Sequence, residues 1–208
     1  MGESHGGFGE MSSDNLKSIC VFCGSNPGND PAYLEAAIAL GKIIAAHGYK
    51  LVYGGAEVGL MGAVADAALE AGGHVIGVMP RALVEKEIAH KGLSELHEVS
   101  SMHERKALMA DLSDGFIALP GGVGTLEEIF EIWTWAQLGH HDKPLAFMNV
   151  SGFYNPLCAF LDHQSEEGFV RKGHRDMAIF SDDADEILKA FASYDAPELQ
   201  KWVERAEI

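Results

Sequence analysis

Phe116-Ile117-Ala118-Leu119-Pro120-Gly121-Gly122-Val123-Gly124-Thr125-Leu126-Glu127-Glu128 is the stretch that decides the fold. An apolar run enters a glycine turn, and an amphipathic run leaves it as far as Gln137. This is the pattern of a strand, a tight turn and a helix start. Gly121, Gly122 and Gly124 remove the Cβ atoms that would hold a ligand away from the main chain. The helix start adds unpaired N–H groups and the positive end of a dipole. The stretch therefore reads as an anion seat, most naturally for a phosphate, with Thr125 able to donate its hydroxyl and Glu127 and Glu128 in the first helical turn. It has neither the lysine of a P-loop nor GxGxxG spacing, so nothing marks it for a nucleoside triphosphate or a dinucleotide. The alternative is a tight turn with no ligand.

Outward from this stretch, strand and helix signals alternate along the whole chain. Strands are expected at Ile19–Phe22, Leu51–Tyr53, His74–Met79, Leu96–Val99, Asp114–Leu119, Pro144–Met148 and Ala178–Phe180. Helices are expected at Pro31–His47, Leu60–Ala71, Met102 to about Leu112 behind a Ser101–Glu104 capping box, Leu126–Gln137, Tyr154–Ser165 and Asp183–Ala192. Arg81–Gly92 reads as an ordered loop and Asp195–Ile208 as one more helix. The strands are continuous apolar runs, not alternating ones, which predicts an α/β fold around a parallel sheet buried on both faces. With no repeat or linker, residues 16–193 form a single domain, preceded by a disordered extension (1–15) and followed by a tail (194–208). Ligands of such sheets lie beyond the carboxyl ends of the strands. The turns Gly24-Ser25, Gly54-Gly55 and Gly121-Gly122 occupy those ends and are expected to converge on one crevice.

Charge and composition exclude several classes. The 208 residues carry 31 acidic and 15 basic side chains, a net charge of −16, which is unsuited to duplex nucleic acid. No apolar stretch approaches the roughly 18 residues of a membrane helix, so no membrane partner is expected. Cys20, Cys23 and Cys158 are too few for a disulfide framework and indicate a reducing, cytoplasmic setting. Cys20 and Cys23 have CxxC spacing, but in a strand residues three apart face opposite sides. His140-His141 lacks a third ligand at useful spacing, so no metal is expected. No GxSxG element is present. Trp133 and Trp135 read as core or interface residues.

Two groups carry chemistry. Thr125-Leu126-Glu127-Glu128 fits a capping box with Glu128 as the N3 acid. Equally, Glu128 places a carboxylate beside the phosphate seat, where it can stabilise a developing cation or activate water, as in glycoside cleavage. Arg105 follows Met102 by three residues and precedes Met109 by four, so it shares a face with both. It reads either as a structural ion pair or as an anion contact in the same crevice, with Lys106 beside it.

The Pro120–Glu128 stretch matches the PGGxGTxxE signature of the LONELY GUY (LOG) family, the cytokinin riboside 5′-monophosphate phosphoribohydrolases, long labelled lysine decarboxylases. Cys23-Gly24-Ser25, Tyr53-Gly54-Gly55, Gly59-Leu60-Met61-Gly62, Met102-His103-Glu104-Arg105-Lys106 and Thr134-Trp135-Ala136-Gln137-Leu138-Gly139 extend the resemblance over Lys17–Phe191. It implies a Rossmann-like, doubly wound sheet and a homodimer with active sites near the interface. The implied reaction is hydrolysis of the N-glycosidic bond of an AMP-like nucleoside 5′-monophosphate, without a cofactor. The family's essential pair maps onto Arg105 and Glu128. Its nucleotide contacts map onto Glu87, Arg105, Lys106, Gly121, Gly122, Val123, Gly124, Thr125, Leu126, Glu127 and Thr134, with Ser25, Gly54 and Met102 as further contacts. Ala56 and Val123 depart from the family's usual glycine and tyrosine. The alternatives are a broad AMP nucleosidase and a non-catalytic nucleotide or cofactor carrier.

Overall fold

The computed structural model describes residues 16–85 and 89–197. The expected extension at 1–15, Glu87, and residues 198–208 of the expected last helix lie outside the described residues. The described part of the tail, 194–197, is not helical.

The elements run β1 (Ser18–Phe22), α1 (Pro31–Ala46), β2 (Lys50–Tyr53), α2 (Gly59–Glu70), β3 (Val75–Pro80), α3 (Arg81–Val84), β4 (Glu95–Val99), α4 (Met102–Asp111), β5 (Gly115–Ala118) and α5 (Val123–Leu138). They continue with β6 (Leu145–Met148), α6 (Asn155–Glu166), α7 (Lys172–Asp176), β7 (Ala178–Ser181) and α8 (Ala184–Ala192). The strands form one seven-stranded sheet in the order β4-β3-β2-β1-β5-β6-β7. Every neighbouring pair is parallel. The α/β, doubly wound, Rossmann-like expectation therefore holds. Two elements differ from it. The segment expected as a loop from Arg81 opens with the short helix α3, which the charged sequence does not signal. Lys172–Asp176 is also helical.

Burial on both faces, expected of the strands, holds for the inner ones and fails at β4. All residues of β1, β3, β5 and β6 are buried. The edge strand β4 is largely exposed and carries Glu95, His97 and Glu98. Alternate β1 residues feed two cores. Ile19, Val21 and Cys23 face α1, α2 and α8, whereas Cys20 and Phe22 face α4, α5 and α6. The CxxC cysteines are thus free thiols on opposite sides of the sheet. The carboxylate of Asp114 accepts from the Lys17 and Ser18 amides and the Ser18 hydroxyl, at 2.8, 3.0 and 3.0 Å, fixing the entrances of β1 and β5 together.

The chain winds outward in both directions from β1 and β5. Their carboxyl ends thus form the topological switch point, where open α/β sheets bind ligands. Helices α1 and α2 cross at Gly41, where an added Cβ would sit 2.3 Å from the Val64 carbonyl oxygen and 3.2 Å from the Ala67 Cβ. Gly41→Ala is therefore expected to lose about 1–3 kcal/mol of stability, although alanine is favoured in an isolated helix by ~1 kcal/mol. Urea unfolding measures the sign, and a higher midpoint would show that propensity outweighs packing.

Candidate active site

Two of the three polar turns meet at the switch point. The Gly24 amide donates to the Pro120 carbonyl at 3.1 Å, and the Leu60 amide donates to the Gly24 carbonyl at 3.1 Å. A cleft of about 220 Å³ opens above them. Gly24, Ser25, Gly121 and Gly122 line it together with Tyr33 and Phe153. The sequence reading missed the last two. Phe153 arrives from the turn after β6, a strand end that also opens on the crevice, and that position was the available signal. The Tyr154 hydroxyl secures this turn by donating to the Leu119 carbonyl at 2.7 Å, just before the glycines.

Helix α5 starts earlier than its polar residues suggest. Gly122 is the N-cap and contributes no side-chain cap. Thr125 therefore lies inside the first turn, and Glu128 lies in the second. The capping-box reading of Thr125–Glu128 is overturned, as is the placement of both acids in the first turn. Without a capping side chain, the first N–H groups of α5 remain available to an anion.

The three glycines are not equivalent. A Cβ on Gly121 would lie 2.2 Å from the Thr125 Oγ1 and 2.9 Å from the Gly24 nitrogen, so close packing requires glycine there. A Cβ on Gly122 or Gly124 would meet nothing within 4 Å. Their faces are open, as a ligand seat requires. Val123 between them is 83% exposed, Thr125 is buried beneath Gly121, and Leu126 is half-buried against the core.

The third turn, Gly54-Gly55, does not line the cleft. It holds Arg105 instead. The Arg105 Nε donates to the Val78 carbonyl at 3.0 Å, and its Nη2 donates to the Gly54 carbonyl at 3.2 Å. A Cβ on Gly54 would lie 2.0 Å from that Nη2, so only glycine admits the guanidinium. The remaining nitrogen, Nη1, lies 3.4 Å from the Glu128 Oε1 and 4.0 Å from the Met102 Sδ. Both ionic side chains are nearly enclosed, Arg105 at 12% and Glu128 at 13% exposure. Arg105 is thus ion-paired, as one of its two readings expects, and neither it nor Glu128 is among the residues that line the cleft. Burial pushes the Glu128 carboxyl above the ordinary carboxylate range. The nearby Arg105 guanidinium lowers it, but not enough to cancel the burial.

Lys106 points to the other side of α4. Its ammonium hydrogen-bonds to Glu127 and lies 2.9 Å from the Glu131 Oε2. The contact with Glu131 is an ion pair without hydrogen-bond geometry. Burial works to lower the lysine's pKa, but the two carboxylates outweigh it and hold it above the ordinary value. Thr134 is exposed and donates to the Phe130 carbonyl at 2.8 Å. It lies about 10 Å beyond Glu127 along α5, away from the glycine turn.

His141 and Trp133 are held by hydrogen bonds to the main chain. The His141 Nε2 lies 3.0 Å from the Ile132 carbonyl, and its Nδ1 accepts from the Lys143 amide. Burial lowers this imidazole to a pKa of about 4. Trp133 is buried and donates to the His174 carbonyl at 3.0 Å. Among the described residues, no three His, Cys, Asp or Glu side chains are arranged to hold a metal ion.

The glycine geometry separates ligand binding from folding. Gly122→Ala is expected to cost at most about 1 kcal/mol of stability yet weaken AMP binding by about tenfold or more. Gly121→Ala is expected to cost about 2–3 kcal/mol. Calorimetric titration with AMP, paired with thermal unfolding, checks both. Unchanged AMP affinity in Gly122→Ala would show that the open face is not the ligand face.

Comparison with known proteins gives a consistent result. A family model described as "Possible lysine decarboxylase" matches residues 61–191. A cytokinin riboside 5′-monophosphate phosphoribohydrolase of Arabidopsis thaliana is 49% identical over 179 residues, covering 86% of this chain and 84% of that protein. A probable enzyme of the same name from Oryza sativa subsp. japonica is 48% identical over 190 residues, covering 91% of this chain and 78% of that protein. Among solved structures, the molybdenum cofactor binding protein of Rippkaea orientalis has a similar fold. Its TM-score is 0.64 at 22% identity, covering 84% of this chain and 95% of that one.

Proposed function

The chain belongs to the LONELY GUY family of cytokinin riboside 5′-monophosphate phosphoribohydrolases, and we propose that it hydrolyses the N-glycosidic bond of a nucleoside 5′-monophosphate to free base and ribose 5-phosphate. The observation that carries this reading is the enclosed Arg105–Glu128 pair, with Glu128 in the second turn of the helix that the open-faced glycine turn begins. A carrier needs a phosphate seat, but it has no use for a buried acid with a raised pKa next to it.

In this mechanism the 5′-phosphate docks on the first N–H groups of α5, over Gly122 and Gly124. Ser25 and Gly121 border it, and Thr125 supports the turn from below. The ribose then extends toward Glu128. As the C1′–N bond breaks, positive charge grows on the sugar, and the Glu128 carboxylate stabilises it. Water forms the new C1′–O bond. Glu128 orients that water and receives its proton, and this same proton passes on to the departing base, so the base leaves protonated and the carboxylate is restored. A carboxylate raised toward neutrality is a better base than an ordinary one. Arg105, immobilised on two carbonyls, offsets part of the cost of ionising the buried Glu128 and orients the nucleotide, with Met102 beside it.

The same reading includes a homodimer. Thr134 is exposed and lies far along α5 from the glycine turn, which suits a contact with a nucleotide held mainly by a second copy. Glu87 completes the nucleotide contacts. The free thiols support a cytoplasmic setting. The decarboxylase wording of the family model draws no support from the site. A Schiff-base lysine must shed its proton, whereas Glu127 and Glu131 hold Lys106 in its charged form.

Incubation with AMP and with isopentenyladenosine monophosphate tests the reaction directly. Free base and ribose 5-phosphate are expected, and Glu128→Gln is expected to reduce kcat by about 10²–10⁴-fold. Tight binding without release from either nucleotide would establish a carrier instead. The pH profile adds an independent check. Because the ionised carboxylate acts, kcat is expected to fall as pH drops through the raised Glu128 pKa, at higher pH than for an ordinary glutamate. An acid limb at or below the ordinary carboxylate range would remove Glu128 from that role.

A further inference from the structure

Two neighbouring bases on α4 reach three acids on α5. Arg105 turns inward to Glu128, and Lys106 turns outward to Glu127 and Glu131. The two links differ in kind. Arg105 is bonded to the sheet, through the carbonyls of Val78 and Gly54, and its Nη1 approaches Glu128 only at 3.4 Å. That separation exceeds an ordinary charge-assisted hydrogen bond. It is therefore set by where α5 stands and not by the pair itself. Lys106, at 8% exposure, hydrogen-bonds to Glu127 and is ion-paired with Glu131 at 2.9 Å, two residues one turn apart on α5, on either side of Glu128 in the sequence. An enclosed ammonium engaged by two carboxylates gives α5 a fixed position against α4.

We propose that Lys106 is a positioning residue for the hydrolysis. Through Glu127 and Glu131 it clamps α5 to α4 and so holds Glu128 at its working distance from Arg105. This extends the proposed reaction and rests on it. It also gives Lys106 a different task from the nucleotide contact implied by family resemblance. One ammonium between two carboxylates carries a net charge of −1, which is the wrong sign for gripping a phosphate. The clamp also adjusts the acid electrostatically. The charged groups that act on Glu128 are Glu127 and Glu131 on its own helix and Arg105 and Lys106 on α4; the Cys20 thiol on β1 and the Cys23 thiol just beyond it also feel its charge. Removing the lysine leaves two unneutralised acids beside Glu128.

Lys106→Met tests this, with AMP as substrate. A displacement of about 1 Å at the reacting groups costs about 10²-fold in rate, so kcat is expected to fall by about that factor with KM nearly unchanged. The acid limb of kcat is expected to move to higher pH, and Lys106→Arg is expected to restore most of kcat. A rise in KM with unchanged kcat would overturn the proposal and make Lys106 a nucleotide contact. If Lys106→Met does not fold, Glu127→Gln and Glu131→Gln in turn loosen the clamp from the other helix, with the same expected fall in kcat. A crystal structure of the variant tests the clamp independently of turnover. The Arg105–Glu128 separation is expected to change from 3.4 Å, and an unchanged separation would refute the clamp. Wild-type protein that releases no base, with a variant whose pair has nevertheless moved, would overturn the reaction and leave the clamp standing.

Discussion

The site depends on how closely two main-chain turns approach at the head of β1 and β5. The Gly24 amide bonds to the Pro120 carbonyl, and a Cβ on Gly24 would lie only 3.3 Å from the Gly121 Cα. Parallel pairing of β1 with β5 brings the turns together, and the outward winding on either side opens a crevice above them. Side chains on both turns would fill that crevice. Glycine leaves backbone amides as its floor, and α5 begins there with no capping side chain to occupy its first N–H groups. The cleft is thus a product of strand order and of missing side chains.

This explains how a chain of net charge −16 can offer an anion seat. The basic groups nearest the turn do not supply the attraction. Arg105 faces Glu128, and Lys106 faces Glu127 and Glu131, so the cluster of two cations and three anions is itself net −1. Attraction for a phosphate must come from oriented peptide dipoles, which act at contact range and fall off within a turn. The acids fit the same arrangement. Lying in the second turn of α5 and not the first, they leave the helix start free of negative charge.

Much of this was legible in the sequence, and the failures have physical causes. The apolar runs revealed the sheet because strands covered on both faces need no polar alternation. The glycine turn marked the cleft because glycines at 122 and 124 leave the start of α5 open, although Gly121 is required by packing. Glu128 was ambiguous because S/T-x-x-E marks a helix start only when the helix begins at that Ser or Thr. Here α5 begins two residues earlier, at Val123, and Thr125 is buried within it. Helix α3 escaped notice because four residues with no buried face carry no periodic signal. Tyr33 and Phe153 were missed because they reach the cleft from α1 and the turn after β6. Their meeting, edge to face at 5.6 Å, is tertiary and leaves no local trace.

Helical geometry accounts for the division of labour between Glu127 and Glu128. Adjacent residues on a helix point about 100° apart, so one acid turns outward and the other turns in. Glu127 is 52% exposed and reaches Lys106. Glu128 is enclosed and reaches Arg105. Glu131, one turn after Glu127, returns to the outer side and completes the grip on Lys106. The buried acid is costly to ionise, which raises its pKa and makes it a stronger base. Its outer neighbours fix the helix that carries it. Glu127-Glu128 thus joins the grip on Lys106 and the proposed catalytic acid in adjacent residues, and a shift of one residue along the helix would turn each to the wrong side.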